Sequence, residues 1–151
     1  TTIAISNRNL IVGDRCISSN QKRRIIKSKL IKLNFDCWAG FCGDITEIEH
    51  FLRCGDFRKC KGLALTTDGR ILKYELGRIF HIDSSFAAIG SGSEYAEYVL
   101  KNGGTAIDAV QYASKFDNCT SKETTNKLIG SLGWNLNSVI TPLEVFSVNI
   151  R

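Results

Sequence analysis

The first residue of the chain, Thr1, carries two groups that can take part in one reaction. Its hydroxyl is a weak nucleophile until a base removes the proton, and an α-amine has an ordinary pKa of roughly 7.7–8.0. Near neutral pH the amine can accept that proton, which is the pairing of a threonine with its own N-terminus. The sequence contains no methionine, so we expect processing to expose this amine, although routine removal of an initiator methionine also leaves small residues first.

Length and composition predict one globular domain over residues 1–151. The 43% hydrophobic and 23% charged residues are typical of a soluble protein that buries a core. No apolar run approaches the roughly 20 residues that span a bilayer, and the first residues lack the order of a signal peptide. We therefore expect a cytoplasmic protein with no membrane partner.

Neither the cysteines nor the basic residues form a recognisable binding motif. The six cysteines show no C-x-x-C spacing and only two histidines accompany them, so we expect reduced thiols, no metal and no cofactor. Residues 22–29 form a basic run within a net charge of +5, and such runs can bind nucleic acid. Without aromatic neighbours, this run is better explained as a solvated loop entering a strand, and no nucleic-acid partner is expected.

Hydrophobic patterning predicts an α+β chain in which strands come first. Asp44 is a good N-cap for a first helix, and Thr105 with Asp108 resembles a capping box for the last. Residues 121–138 are polar and predict no element. The expected strands are Thr2–Ser6, Leu10–Ile17 with Asp14 near its end, Ile25–Leu33, Cys37–Phe41, Gly62–Thr67, Arg70–Glu75, Ile79–Ile82, Phe86–Ile89 and Leu143–Ile150; the helices run over 45–54, 94–102 and 105–116.

Runs of adjacent strands with helices between them predict antiparallel sheets with helical layers outside. Six short motifs in this order then resemble the proteasome β-subunits and the HslV-type peptidase, which are N-terminal nucleophile hydrolases. The motifs are Thr1-Thr2-Ile3, Val12-Gly13-Asp14, Lys29-Leu30, Ala39-Gly40-Phe41, Ile89-Gly90-Ser91-Gly92-Ser93, and Asp117 with Thr120. The resemblance implies a four-layer αββα sandwich of two antiparallel sheets. Only residues 44–61 are available for the first helix pair, so its second helix is expected to be shortened or absent.

The resemblance assigns Lys29 to the ammonium beside Thr1, where like-charge repulsion favours the neutral amine. A buried lysine needs a compensating charge, and Asp14 matches the family's partner. Strand alternation puts Lys27, Lys29 and Ile31 on one face, so the competing Lys32 faces away.

The same resemblance assigns further groups around Thr1. The backbone N–H of Gly40 matches the oxyanion donor, because a residue without a side chain lets the substrate approach closely. Ser91 matches the residue that hydrogen-bonds the amine, and Gly90-Ser91-Gly92 lacks the pattern of a phosphate loop. Asp117 and Thr120 match the pair that holds the N-terminus, although the family often has serine followed by glycines at Thr120.

Substrate-binding roles follow only from the resemblance. Lys27 and Ile31 flank the lysine and match the pocket for the side chain preceding the cut, with Cys42 beyond Gly40. Ile17 and Ser18 complete the implied set. A cation at Lys27 predicts a preference for acidic or polar side chains.

The implied function is a threonine peptidase that hydrolyses peptides or unfolded proteins through an acyl-enzyme. The resemblance further implies ring-like homo-oligomers joined through the later helices and an ATP-dependent unfoldase, which this chain would meet through an altered surface. Two alternatives stay open: an N-terminal nucleophile amidase acting on a small substrate, and a catalytically idle scaffold of the same fold.

Overall fold

The computed structural model describes residues 1–19, 22–34 and 36–129. Along the chain the elements are β1 (Thr2–Ser6), β2 (Leu10–Asp14), β3 (Cys16–Ser19), β4 (Lys22–Ile25), β5 (Leu30–Asn34), β6 (Cys37–Cys42), α1 (Ile45–Cys54), β7 (Lys61–Thr66), β8 (Ile71–Glu75), β9 (Arg78–Ile82), β10 (Ala87–Gly90), α2 (Ser93–Lys101), α3 (Ala106–Ser114) and β11 (Thr124–Leu128).

Two antiparallel sheets and a small ribbon contain all of the described strands. The first sheet has the order β10-β1-β2-β11, and the second has the order β5-β6-β7-β8-β9. Among the described strands, β3 and β4 pair only with each other. β1 therefore lies between β2 and β10, and this central position fixes the start of the chain within the first sheet.

The core between the sheets follows from strand alternation. Ile3, Ile5 and Ile11 of the first sheet point inward and pack against Leu63 and Leu65 of the second. Successive strand residues face opposite sides of a sheet, so the strand residues that alternate with these inward ones face the outer layers. The two sheets thus pack as the middle layers of a sandwich.

Helices cover both outer faces. Ala4 and Val12, on the outer face of the first sheet, pack beneath α2 and α3. On the far side, α1 buries Ile48 and Phe51 against the outer face of the second sheet. The four-layer αββα sandwich expected from the sequence is confirmed.

Capping residues set the helix boundaries as the sequence indicates. Asp44 accepts from the Thr46 backbone N–H, and Gly55 ends α1 with φ 79°, which glycine adopts without strain. The capping box of Thr105 and Asp108 is present at α3. Between α1 and β7 the fully described residues 55–60 form no further helix, so the expected loss of the second helix is also confirmed.

Two strand predictions were wrong. The strand expected over Leu10–Ile17 ends at Asp14, and the strand expected over Ile25–Leu33 is interrupted at 26–29. β11 lies where no element was predicted, because its Thr-Thr-Asn-Lys-Leu sequence has almost no apolar alternation. The predicted strand Leu143–Ile150 lies outside the described residues. No helix in the described part of the chain is long and apolar enough to cross a membrane.

Candidate active site

The hydroxyl of Thr1 lies against a buried ion pair. Lys29 Nζ donates to Thr1 Oγ1 at 2.8 Å and to Asp14 Oδ1 at 2.9 Å. The side chains of Lys29 and Asp14 are only 4% and 0% exposed. The sequence-predicted nucleophile, cation and carboxylate are therefore in direct contact.

The turn before β5 directs Lys29 towards Thr1. Leu30 N–H donates to Ser28 Oγ at 3.0 Å, which closes a tight local turn around Lys29. Two residues before Ser28, Ile26 N–H donates to the Arg15 carbonyl at 2.8 Å and so ties the turn to the end of β2. Lys29 therefore does not lie inside a strand, and alternation along a strand is not what orients it.

Asp14 ends β2 as an acceptor for several donors at once. Besides Lys29, its carboxylate accepts backbone N–H bonds from Thr2 at 2.8 Å, Cys16 at 3.0 Å and Ser121 at 3.1 Å. Hydrogen bonds to an ionised carboxylate are about twice as strong as neutral ones. These donors offset the cost of burying the charge and fix the segments that surround Thr1.

The amine of Thr1 is held by a second group of residues. It donates to Ser91 Oγ at 3.1 Å and to the Cys119 carbonyl at 2.6 Å. Ser91 Oγ donates in turn to Asp117 Oδ2 at 2.6 Å, which also accepts from Thr120 Oγ1 at 2.5 Å. The three residues predicted to surround the amine are thus connected to it in one hydrogen-bonded chain.

Thr2 and Cys119 were missed by sequence reasoning. Thr2 Oγ1 and Thr120 Oγ1 are 2.7 Å apart, and this contact joins the chain of hydrogen bonds back to β1. Thr2 is fully buried, and its position next to Thr1 was the only available sequence signal. Cys119 acts through its backbone carbonyl, which no residue-type argument could have found.

Electrostatics favours a neutral amine at Thr1. Burial lowers the pKa of the amine, and the nearby Lys29 ammonium lowers it further, while Asp14 and Asp117 act in the opposite direction. Burial raises the pKa of Asp117, but hydrogen bonds from Ser91 and Thr120 outweigh it and hold this pKa below its ordinary value. The Thr1 amine is therefore available as a base, and the Asp117 carboxylate that holds Ser91 beside it is ionised.

Gly40 lies on β6 beside the second sheet's contact with β1. It pairs with Leu30, the residue after Lys29, and an added Cβ would lie 2.7 Å from Ile3 Cδ1. The glycine is thus required by the close packing of β1 on β6, two residues from Thr1. This is a physical reason for glycine in addition to the predicted oxyanion role.

The glycines around Ser91 have a similar origin. A Cβ on Gly90 would overlap the Thr1 carbonyl, and a Cβ on Gly92 would overlap Thr2 Oγ1. The short polar loop exists because the backbone passes so close to the start of the chain. It brings Ser91 to the amine.

A pocket of about 470 Å³ opens beside Thr1. Cys42 lines it, as expected, but the other predicted substrate residues do not. Lys27 is exposed, and Ile31 is buried under α1 on the outer face of the second sheet. Ile17 and Ser18 belong to the β3–β4 ribbon. Lining residues that the sequence did not suggest are Lys61, Lys73, Glu97 and Cys119.

All six cysteines are free in the structure. Within residues 1–19, 22–34 and 36–129, no three His, Cys, Asp or Glu side chains are placed to hold a metal ion.

Comparisons with known proteins identify the fold. No family model matches the sequence, and no curated protein matches it either. Among solved structures, Thiobacillus denitrificans BPH in complex with epoxomicin has a TM-score of 0.71 at 14% identity, covering 85% of this chain and 98% of that chain. Another structure of BPH has a TM-score of 0.69 at 15% identity, covering 85% and 97%.

HslV from Trypanosoma brucei has a TM-score of 0.66 at 18% identity, covering 85% of this chain and 99% of that chain. The chain has an HslV-like fold. The resemblance read from the sequence motifs is therefore confirmed at the level of fold.

Proposed function

We propose that this chain is a threonine peptidase that hydrolyses peptide bonds through an acyl-enzyme on Thr1. The observation that carries the proposal is the 2.8 Å contact between Lys29 Nζ and Thr1 Oγ1, with the ammonium held by buried Asp14. A cation at this distance stabilises negative charge that develops on the oxygen during attack. The proposal requires a mature chain that begins at Thr1.

The reaction needs no group beyond those in the site and water. Thr1 Oγ1 attacks the peptide carbonyl carbon while its proton passes to the Thr1 amine. The tetrahedral intermediate collapses, the C–N bond breaks and the ammonium returns the proton to the leaving amine. Water then attacks the ester, gives one proton to the Thr1 amine, and the amine reprotonates Oγ1 as the acid is released.

Gly40, Ser91, Asp117 and Thr120 take supporting roles in this mechanism. The Gly40 N–H is proposed to donate to the oxyanion, which would place the reacting carbonyl between β6 and Thr1. Ser91 orients the amine, and Asp117 with Thr120 fixes Ser91. An open pocket of about 470 Å³ beside Thr1 supports a peptide substrate over a very small one.

Self-association is the second part of the proposal. The outer face of α2 and α3 carries an aromatic cluster that we define as Tyr95, Tyr98, Tyr112 and Phe116, with ring centroids 5.0–5.8 Å apart. Tyr98 and Phe116 are 61% and 53% exposed. Aromatic residues are enriched at protein interfaces, so this surface supports homo-oligomers joined through the later helices.

An ATP-dependent unfoldase is a further element of the proposal. Only α1 covers the outer face of the second sheet between β6 and β7, so the surface offered there is smaller than a helix pair would provide. We propose that any unfoldase meets this reduced surface. Added HslU-type unfoldase and ATP should therefore change the rate of peptide hydrolysis by less than about twofold.

The central experiment compares wild-type protein with Thr1→Ala and Thr1→Ser on fluorogenic peptides and on simple amides. Wild type should cleave the peptides, Thr1→Ala should lose all activity with an unchanged fold, and Thr1→Ser should retain part of it. Epoxomicin, followed by peptide mapping, should label Thr1 in wild type only.

Other outcomes separate the alternatives. Cleavage of simple amides without peptides would favour the small-substrate amidase. Neither turnover nor labelling, in protein shown by N-terminal sequencing to begin at Thr1, would leave the idle scaffold.

A further inference from the structure

Two lysines form one wall of the pocket beside Thr1. Lys61 is the first residue of β7 and Lys73 lies in the middle of β8, and both line the pocket. Neither belongs to the groups that contact the Thr1 hydroxyl or amine. Their presence in the pocket points to recognition of the substrate.

Strand register places these lysines on the inner face of the second sheet. Leu63 pairs with Lys73, and Leu65 pairs with Ile71, so the four side chains share one face. Leu63, Leu65 and Ile71 are buried between the sheets. Lys61, two residues before Leu63, continues the same face. The apolar inner face therefore becomes cationic where it reaches the pocket.

The nearby carboxylates define how much of this positive charge is available. Lys61 and Lys73 lie 3.2 and 3.4 Å from the two oxygens of Glu75, so they share one carboxylate. Each ammonium has three donors, and within the described part of the chain Glu75 is the one carboxylate paired with either lysine, so donors remain for a substrate. Glu97 of α2 lines the opposite part of the pocket.

The start of α2 adds to the positive potential. Its N-cap is Gly92, which makes no side-chain cap hydrogen bond, and the adjacent Ser91 and Ser93 line the pocket. The N-terminus of a helix carries a partial positive charge, which favours an anion nearby. Ser91 and Ser93 line the same pocket as the two lysines, so this effect acts in the same space.

From this arrangement we propose that the pocket binds a carboxylate of the peptide substrate between Lys61 and Lys73. The inference rests on the proposed peptidase function and adds to it a preference for acidic peptides. The carboxylate competes with Glu75 for the two ammonium groups. Glu97 limits the preference because it repels the same carboxylate.

The expected preference is moderate because the lysines are in contact with water. The side chains of Lys61 and Lys73 are 55% and 31% exposed. Exposed ion pairs contribute little, so two such contacts predict a preference of roughly three- to tenfold for Glu over Gln. Screening by salt should reduce it further.

The test uses a matched pair of fluorogenic peptides that differ only by Glu or Gln before the cut, both with amidated C-termini. A second pair carries Gln there and has a free or amidated C-terminus, which distinguishes side-chain from terminal carboxylates. We expect the ratio of kcat/KM values to favour at least one acidic member, and to approach unity in Lys61→Gln/Lys73→Gln. Lys59→Gln, which changes an exposed lysine outside this pocket, should keep the wild-type ratio.

Removing nearby carboxylates should have the effect opposite to removing the lysines, which makes the test specific. Glu75→Gln and Glu97→Gln each remove a competing or repelling carboxylate, so both should increase the preference for acidic peptides. A merely structural role of the lysines would not produce an increase. Equal cleavage of both members of both pairs would overturn the inference while leaving the peptidase function intact.

Binding to Thr1→Ala keeps the two proposals distinguishable. Fluorescence anisotropy with the same peptides should show the acidic preference in this variant even if wild type hydrolyses nothing. If wild type hydrolyses none of the peptides while Thr1→Ala still binds the acidic ones preferentially, only the peptidase function is refuted. Equal affinity for all four peptides would refute the carboxylate site.

Discussion

Lys29 Nζ lies 2.8 Å from Thr1 Oγ1 although 28 positions in the sequence separate the two residues. The contact exists because β1 starts between the sheets and the turn at 26–29 brings Lys29 to the same place. A buried ammonium here both stabilises an alkoxide and repels a proton from the Thr1 amine. One side chain therefore supports both halves of the proposed reaction.

Replacing Lys29 tests that role directly. Lys29→Met keeps an unbranched side chain, one atom shorter, but removes its charge, so we expect kcat to fall at least about a hundredfold through lost electrostatic stabilisation. Lys32→Met, three residues later on β5, should stay near wild type. Steady-state kinetics on a neutral peptide measures both. Equal losses in the two variants would show that the contact with Thr1 is not what matters.

Replacing either partner of the ion pair between Lys29 and Asp14 should lower the free energy of unfolding, but by unequal amounts. After Lys29→Met, Asp14 keeps backbone donors from Thr2, Cys16 and Ser121. After Asp14→Asn, Lys29 is buried without its carboxylate, and the new amide must face N–H donors. Removing one partner of a buried pair costs about 3–5 kcal/mol. Urea unfolding should therefore show a larger loss for Asp14→Asn than for Lys29→Met, and the reverse order would contradict this account of Asp14.

The protonation of the Thr1 amine predicts a shifted pH dependence. Burial and then Lys29 lower the pKa of this amine, and the neutral form is the proposed base. Activity should therefore persist below the ordinary amine pKa and fall only as pH drops through the lowered value.

Amine labelling gives the same pKa without requiring turnover. The rate of acylation at Thr1, read from the mass of its peptide, should follow the neutral fraction of the amine. In Lys29→Met the repulsion is gone, so the pKa rises and the labelling curve should move to higher pH. Lys32→Met is the matched control. An unshifted curve in Lys29→Met would mean that burial alone sets the pKa.

Local signals predicted much of this fold because they act over a few residues. Asp44 marks the start of α1, and the capping box of Thr105 and Asp108 marks the start of α3. The break at 26–29 was hidden, because Ile25, Ile26 and Leu30 continue an apolar strand pattern across it. The polar strand β11 gave no signal, since its place is fixed by pairing with β2.

The site divides in the same way. Thr1, Asp14 and Lys29 were found because they lie in recognisable short motifs. The two pocket lysines were not found, because Lys61 and Lys73 resemble ordinary outward residues of alternating strands. Only the overlap of the two sheets shows that their face reaches the Thr1 pocket. Conversely, Lys27 was predicted to share a face with Lys29 and Ile31, and this requires a continuous strand over Ile25–Leu33. The structure interrupts that strand at 26–29.

The aromatic cluster on α2 and α3 predicts the route of self-association. Tyr98→Glu with Phe116→Glu places two charges on surfaces that are 61% and 53% exposed in the isolated chain, so folding should change little. Burying a carboxylate in an interface is costly, so the dissociation constant of the oligomer should rise at least about tenfold. Light scattering over a concentration series measures this.

Leu76→Glu, which alters a residue that is 74% exposed on the β8–β9 hairpin, is the control and should leave assembly unchanged. A wild-type protein that stays monomeric at all concentrations would refute assembly itself, whereas dissociation caused equally by Leu76→Glu would place the interface elsewhere.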